Sequence, residues 1–320
     1  MNIKIKFEQI NKSHVKEAVE LVLNSYKEER EAVPFLPDDS KILSNLSDSI
    51  GYLFSLENGV AAVYENKLIG FICGFEVDEL FGKCKGIYTP LYGHATIKEQ
   101  SNYIYEKLYE KAAEQWVKKG CTTHAITHYA HIKEAIDTWF WMGFGMRCVD
   151  AIRQAKQIEV KRSSIKIHKA NIVDIPLLKD IYKQHMKYYK NSPIFMIKDI
   201  GEPIKELTNW LNEENHHLWI AYEGVKPVGY MQLEPDAETF ISEHKDIMNI
   251  TGAFVLEDER ESGKGAALLS EIQKWLLQNG YPLCGVDFEA INILGSRFWN
   301  KHFTPYTYSL VRRIDERVCE

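Results

Sequence analysis

The chain has 320 residues, 45% of them apolar and 26% charged, with a net charge of −6. That length suggests two globular domains, each able to bury a core, and the acidic balance argues against nucleic acid as a partner. No apolar run is long enough to cross a bilayer, and six scattered cysteines without a CxxC pair read as reduced thiols of a cytoplasmic protein, with neither a disulfide frame nor a zinc site.

Taken in order, the elements repeat. Met1 to Phe7 alternates like a strand and lacks the apolar core of a signal peptide. A strand over Ile5–Ile10 leads through Asn11 to an amphipathic helix from Val15 to Lys27. Val63-Tyr64-Glu65 and Ile69-Gly70-Phe71 read as strand, tight turn, strand, and Gly86-Ile87-Tyr88 opens another strand. A helix then stops at Lys119-Gly120, and Trp139-Phe140 lies in an aromatic block ending at Gly145, expected to serve core and inter-domain packing. The succession returns about 160 residues later. Strand Ile165–Ala170, Asn171 and a helix from Ile175 to Tyr189 are followed by Ala221-Tyr222-Glu223 with Val228-Gly229-Tyr230, Gly252-Ala253-Phe254, a helix stop at Asn279-Gly280, and Phe298-Trp299. Two long copies indicate a duplicated domain. The expected domains are 1–158 and 163–320, joined by the polar stretch Ile158–Ser164, each an α/β fold with helices on both faces of a mixed sheet. The two copies would satisfy each other as an intramolecular pseudo-dimer, with a homo-oligomer as the alternative.

One stretch of the second copy carries chemistry. Thr251–Val255 is short and β-prone, Arg260-Glu261-Ser262-Gly263-Lys264-Gly265-Ala266 is a glycine turn, and Ala267–Leu277 has helical spacing. Such a turn aims free backbone N–H groups, at the positive end of a helix dipole, toward an anion. A dinucleotide turn would need Gly-x-Gly-x-x-Gly near a first strand, and a P-loop would need Ser or Thr after Lys264, where Gly265 stands.

Arg-x-x-Gly-x-Gly at 260–265, five residues after Val255 and followed by Leu268-Leu269, resembles the pyrophosphate loop of the GCN5-related N-acetyltransferase (GNAT) superfamily. Asn292, Gly295, Phe298-Trp299 and Phe303 are similar to a later block of that family, with His302 where its glycine is usual. The resemblance extends over the chain as two tandem GNAT-like acyl-CoA N-acyltransferase domains, with the loop in the second copy. It implies acetyl-CoA in a cleft between parting strands, the pantetheine arm along Val255 and Leu256, and the pyrophosphate on the N–H groups of Glu261, Ser262, Gly263, Lys264, Gly265 and Ala266, with Arg260, Asn292 and Trp299 beside it. The first copy lacks the loop. Counted back from its helix stop, Tyr103 and Tyr105 stand for Gly263 and Gly265, with six extra residues before the helix. It is expected not to bind coenzyme A in the usual way. It is either a structural partner, or a substrate-side wall or regulatory pocket in which Gly93 and His94 matter.

Catalytic residues are less legible. Where many family members place a carboxylate base, this chain has Asn249, with Asp246 upstream; Glu257, Asp258 and Glu259 read as a solvated turn. Asp287 and Glu289 alternate on one strand face and would suit a protonated amine. Trp299 replaces the family's tyrosine acid, leaving Tyr306 or Tyr308 to substitute. His124, His128 and His131 read as polar strand-face histidines, and no metal is expected. The expected activity is acetyl transfer from acetyl-CoA to an amine of a small molecule or peptide by direct attack on the thioester. The alternative is a non-catalytic acyl-CoA-binding or regulatory tandem module.

Overall fold

The computed structural model describes residues 5–38, 45–160, 165–197 and 201–319. Part of the expected strand at 1–7 and part of the expected boundary at 158–164 lie outside the described residues. Two compact units emerge, one of Met1–Val149 with Pro305–Glu320, the other of Asp150–Thr304. Among the described residues no helix is long and apolar enough to cross a membrane.

The first unit runs β1 (Lys6–Gln9), α1 (Val15–Ala32), α2 (Leu46–Ser55), β2 (Gly59–Tyr64), β3 (Lys67–Cys73), β4 (Phe75–Val77), β5 (Gly86–Thr89), β6 (His94–Thr96), α3 (Ser101–Lys118), β7 (Thr123–Tyr129), α4 (Lys133–Trp141) and the start of β8 (Gly145–Gln154). The second runs from the end of β8 through β9 (Lys166–Lys169), α5 (Lys179–Lys190), α6 (Pro203–Leu211), β10 (His217–Glu223), β11 (Lys226–Glu234), β12 (Ile247–Val255), α7 (Lys264–Gln278), β13 (Leu283–Glu289) and α8 (Ile293–His302).

Local chemistry accounts for the repeat. Each copy enters its first helical turn through an asparagine cap. Asn11 Oδ1 accepts from Ser13 N–H at 2.9 Å, and Asn171 Oδ1 accepts from Val173 N–H at 3.0 Å. In return His14 Nδ1 and Asp174 Oδ2 accept the N–H of Asn11 and Asn171, closing a capping box in both. The hairpins β2–β3 and β10–β11 are antiparallel and shift register at matching places, between Ala62 and Val63 and between Ala221 and Tyr222. Both copies also contain a parallel pair, β5 with β7 and β12 with β13.

The units differ from the sequential halves at their ends. The last strand, β14 (Thr304–Arg313), pairs antiparallel with β7 from Thr307↔Tyr129 to Arg313↔Thr123. It therefore completes the sheet of the first unit, ordered β4-β5-β7-β14. The end of β8, from Asp150, belongs to the second unit. Each unit thus takes its closing strand from the other copy's stretch of sequence, which is why the compact boundaries fall near 149 and 304 instead of 158–163.

The first copy also departs from the second where its parallel pair ends. The β5–β7 ladder stops at Thr89↔Ile126. The chain then turns through Pro90–Gly93 and resumes as β6, paired with β3 from His94↔Ile72 to Thr96↔Gly70. Gly93 permits this turn, because a Cβ there would stand 2.6 Å from the Cys73 carbonyl oxygen. From β6, His94 reaches across and donates from Nε2 to Thr127 O on β7 at 2.8 Å. Only four residues (97–100) separate β6 from α3, against eight (256–263) between β12 and α7. Gln100, with φ of 59°, holds the N-cap position that Gly263 holds in the second copy. The tyrosines expected opposite the glycines therefore sit inside α3, Tyr103 exposed and Tyr105 buried. A longer helix and a shorter loop, and not two bulky rings, replace the glycine turn.

The core of the first unit is aromatic. Trp116, Trp139, Tyr105, Tyr109 and Phe144 pack together with Ile87, Ile104 and Ile126. Of the block from Trp139 to Gly145, Trp139 and Phe144 are core, but Trp141 is 91% exposed, so the block as a whole is not packing material. Three buried histidines lie in or beside this core. His124 Nδ1 accepts from the Tyr109 hydroxyl at 2.9 Å and its Nε2 donates to Cys121 O. His94 Nδ1 accepts from the Tyr105 hydroxyl at 3.0 Å. Burial, ahead of every other cause, pushes the pKa of His94 down to about 3 and those of His124 and His128 to about 4.

These imidazoles stay neutral in the folded unit, whereas in the unfolded chain each takes up a proton below about pH 6.5. Their contribution is complete above that value and is lost as the pH falls toward about 4. Amide exchange along β7 should therefore report stability falling between pH 6.5 and 4, by up to about 1.4 kcal/mol per pH unit for each imidazole. His124→Gln should make the fall shallower; an equally steep fall in that variant would contradict the assignment.

Candidate functional site

The second unit places its open backbone at the end of β12. Its ladder with β13 runs from Ile247↔Leu283 to Ile250↔Val286 and stops, while β12 continues to Val255 and β13 to Glu289. On its other edge β12 stays paired with β11 as far as Val255↔Gly229. Leu256 N–H donates to Val228 O at 2.9 Å. Alternation along the strand then turns the N–H and C=O of Val255 and Ala253 to the side that β13 has left. The N–H of Leu256, expected to meet a ligand, is spent on β11. An extended ligand can add to backbone exposed in this way as a further strand would.

The glycine turn follows. The chain passes through a 3₁₀ turn at Glu257–Glu259, and Gly263 adopts φ of 89° as N-cap of α7. An L side chain disfavours that conformation. The first α7 bond runs from Ala267 N–H to Gly263 O at 2.9 Å, so the N–H groups of Lys264, Gly265 and Ala266 lie ahead of the helical ladder. Nothing stands within 4 Å of where a Gly263 Cβ would be, so this helix end is open. A Cβ on Gly265 would touch the Phe298 ring at 3.4 Å, so small size there lets α7 approach α8.

Side chains of the turn brace it. Arg260 Nε donates to Val255 O at 3.1 Å, and its guanidinium lies over the rings of Tyr188 (4.5 Å) and Phe254 (5.3 Å). Lys264 is buried, with Nζ 2.7 Å from Glu259 and 3.1 Å from Glu223. The hydrogen bond to Glu259 is the main reason its pKa is raised. Ser262 Oγ donates to Glu259 O and accepts from Lys264 Nζ. Glu259 is thus an anchor and not a freely solvated acid. The Arg260 Nε, the Ser262 hydroxyl and the Lys264 ammonium are thus engaged within the turn or with Glu223, while the N–H groups of Lys264, Gly265 and Ala266 lie ahead of the helical ladder. Asn292 caps α8, its Oδ1 accepting from Gly295 N–H at 3.1 Å and from the Tyr188 hydroxyl at 2.8 Å. Trp299 is buried against Phe298 and Phe303.

The carboxylate position is occupied by an amide with a structural role. Asn249 is buried, and its Nδ2 donates to Pro235 O at 3.0 Å and Ser242 O at 2.9 Å. It pins the segment between β11 and β12. Across the ladder from Asn249 stands Glu234, the last residue of β11. Glu234 Oε1 accepts from the Thr251 hydroxyl, and Oε2 accepts from Trp210 Nε1 at 3.0 Å, with His216 Nε2 3.4 Å away. Thr251 is the first β12 residue beyond the last β13 pair, so Glu234 is a carboxylate held at the point where the strands part. His216, Glu234 and Asp236 also bring ligand-type atoms within 4.8 Å of one another, and are the described residues that could gather around a cation.

The sequence passed over Glu234, Thr251, Trp210, His216 and Tyr188. Its one available signal was Glu234-Pro235-Asp236, two acids about a proline at a strand end. Asp287 and Glu289, both partly buried, lie on β13 beyond its last pair with β12 and remain in the same unit as the turn. Asp246 precedes β12 beside His244, about half exposed. Tyr306 and Tyr308 belong to the other compact unit. They lie on β14 in the first unit, where Tyr306 O accepts from Ala130 N–H at 3.0 Å and Tyr308 pairs with His128. The structure does not bring them together with the glycine turn in one unit, because the closing strands are exchanged.

Residues 178–293 match the model of the acetyltransferase (GNAT) family. No curated protein sequence matches the chain. Among solved structures, a GCN5-related N-acetyltransferase from Sphaerobacter thermophilus superposes with a TM-score of 0.61 at 12% identity, covering 97% of this chain and 95% of that one. A GCN5-related glucosamine N-acetyltransferase region of a fungal multi-domain GH3 β-N-acetylglucosaminidase gives a TM-score of 0.56 at 11% identity, covering 97% of this chain and 38% of that one. The mixed α/β fold of this chain is thus that of GNAT acyltransferase structures over nearly its whole length, and residues 178–293 form a GNAT acetyltransferase domain.

Asn249→Asp tests the reading of the amide as a clasp. The change sets a carboxylate against two carbonyl oxygens in a buried place, and should destabilise the second unit by about 3 kcal/mol in urea unfolding. A variant as stable as the parent would show that the amide does not hold the 235–242 segment.

Proposed function

We propose that the GNAT acetyltransferase domain in residues 150–304 transfers an acetyl group from acetyl-CoA to an amine of a small molecule or peptide. The observation that carries the reading is the conjunction of parted strands β12 and β13 with an open, left-handed glycine turn at the N-terminus of α7. The exposed backbone of Ala253 and Val255 suits the amide groups of a pantetheine arm, and the N–H groups from Glu261 through Ala266 suit a pyrophosphate. Bound there, acetyl-CoA supplies a thioester carbonyl to the attacking amine.

The protein's part is positioning and proton transfer. Glu234 is the proposed general base, taking a proton from the acceptor's ammonium directly or through a water so that the neutral amine attacks the thioester carbon; the C–S bond then breaks, and coenzyme A leaves as a thiol with the proton that the new amide nitrogen gives up. The Thr251 hydroxyl and Trp210 N–H fix its carboxylate at the edge of the cleft. Asp236 nearby, with Asp287 and Glu289 on β13, gives the acceptor side an acidic lining that favours a cationic amine. Backbone N–H groups of β12 beyond Ile250 polarise the thioester oxygen. A non-catalytic acyl-CoA-binding module is the competing reading, favoured by the amide at 249.

Isothermal titration with acetyl-CoA should give about one site per chain. Gly263→Ala, strained at a φ of 89°, should weaken binding at least about tenfold; unchanged affinity would refute the placement of the pyrophosphate. Glu234→Gln should leave acetyl-CoA affinity intact and lower kcat by about a hundredfold or more in thiol release with an amine panel. EDTA should not alter turnover if Glu234 acts as a base. Tight binding with no thiol release from any amine would select the non-catalytic reading.

A further inference from the structure

The first unit contains a cavity of about 550 Å³. Ser25 and Glu28 of α1, Thr96 and Lys98 before α3, and His128 and His131 at the end of β7 are among its lining residues. A volume of that size holds a small organic molecule. Leu21, Ile97 and Ile132 contribute apolar wall. At the rim Lys98 pairs with Glu28 at 3.2 Å, and both side chains are well exposed.

The polar end of the cavity is specified by hydrogen bonding. His128 is 1% exposed. Its Nδ1 lies 3.1 Å from Tyr129 O, a carbonyl that can only accept, so Nδ1 carries the proton. The other nitrogen, Nε2, is then an acceptor. It is buried and has no hydrogen-bond partner among the described residues. A buried polar atom without a partner costs free energy that a ligand donor would recover.

The imidazoles nearest His128 in the cavity wall are held by other partners. His94, whose ring centroid is 4.9 Å away, donates its Nε2–H to Thr127 O and accepts at Nδ1 from Tyr105. On the other side His131 is fixed from behind. The wholly buried Glu29 accepts from His131 Nδ1 at 2.7 Å and from its backbone N–H at 3.0 Å, leaving Nε2 as the remaining ring nitrogen. Burial raises the Glu29 pKa, and the His131 contacts oppose that rise. A buried carboxylate that orients a cavity-lining imidazole is a costly arrangement for packing alone.

We propose that this cavity is a second ligand site, for a small molecule that presents hydroxyl or amine donors to His128 Nε2, and that it is separate from the acetyl-CoA site of the second unit. An acceptor-only ligand such as a dicarboxylate would meet a lone pair at His128 and the Glu28 carboxylate at the rim, and should be excluded. The proposal does not depend on turnover, because the cavity lies within residues 21–135.

The test uses the full-length protein with three probes of equal length, 1,6-hexanediol, 1,6-diaminohexane and adipate. In a ¹⁵N-histidine spectrum the free protein should show an unprotonated Nε2 for His128. The diol, the diamine or both should move that resonance, and which of them does so distinguishes a hydroxyl from an ammonium ligand; adipate should not. Ser25→Leu, which fills the cavity from α1, should abolish the shift while acetyl-CoA affinity stays the same. His128→Phe, which keeps a ring against His94 and removes the acceptor, should weaken the donor probes at least about tenfold. This second variant decides the matter if the first folds poorly. Protonated Nε2 in the free protein, no response to any probe, an equal response to adipate, or a shift that survives Ser25→Leu would each overturn the proposal.

Discussion

The structure turns on where two parallel strands stop sharing hydrogen bonds. Each strand of a sheet must satisfy backbone groups on both edges, and β12 loses its partner after Ile250↔Val286. The chain retains β11 on one edge and leaves Ala253 and Val255 turned toward the gap. Much of the rest of the second unit follows from keeping that gap in shape. Arg260 folds back on the Val255 carbonyl, Tyr188 lies beneath its guanidinium, and Tyr188 in turn holds Asn292 at the start of α8. The positive turn residues thus serve the geometry of the turn, and the anion site we propose there rests on its backbone N–H groups.

The first copy meets the same constraint with its own atoms. Its ladder ends at the equivalent pair, Thr89↔Ile126, and the next carbonyl on β7, that of Thr127, receives the Nε2–H of His94. The gap is bridged by a side chain instead of being left for a ligand. That solution needs His94 neutral and correctly protonated, which burial and Tyr105 secure. A neutral imidazole suits the task, because it is a compact group that can satisfy both a carbonyl and a hydroxyl inside a core, as His94 and His124 do.

How much of this could be read from the chain depends on the range of each interaction. The asparagine caps at 11 and 171 are complete within three residues, so the repeat announced them. The glycine turn was legible for the same reason, since φ at Gly263 and the helix start at Lys264 are local. The strand exchange was not. The copies resemble each other, so β14 has an edge to pair with in either unit, and no local pattern says which. That ambiguity hid from the sequence that Tyr306 and Tyr308 belong to the first unit. Glu234 escaped notice because its neighbours come from α6, β12 and the turn before β10, brought together by a register shift in the β11–β12 ladder.

Helix register shows the same limit in a sharper form. Counting back 160 residues from the glycine stops sets Tyr103 and Tyr105 against Gly263 and Gly265. Counting from the N-caps sets Gln100 against Gly263, an offset of 163. The first copy gained nearly one helical turn at the start of α3 and lost four residues from the preceding loop. A turn of helix is hydrogen-bonded internally, so it consumes as ladder the N–H groups that a longer glycine loop would present. A difference of this kind needs no bulky residue and leaves little mark on composition. The start of the lengthened α3 instead lines a cavity, with Ser101 and Tyr105 facing it alongside residues of α1 and the end of β7.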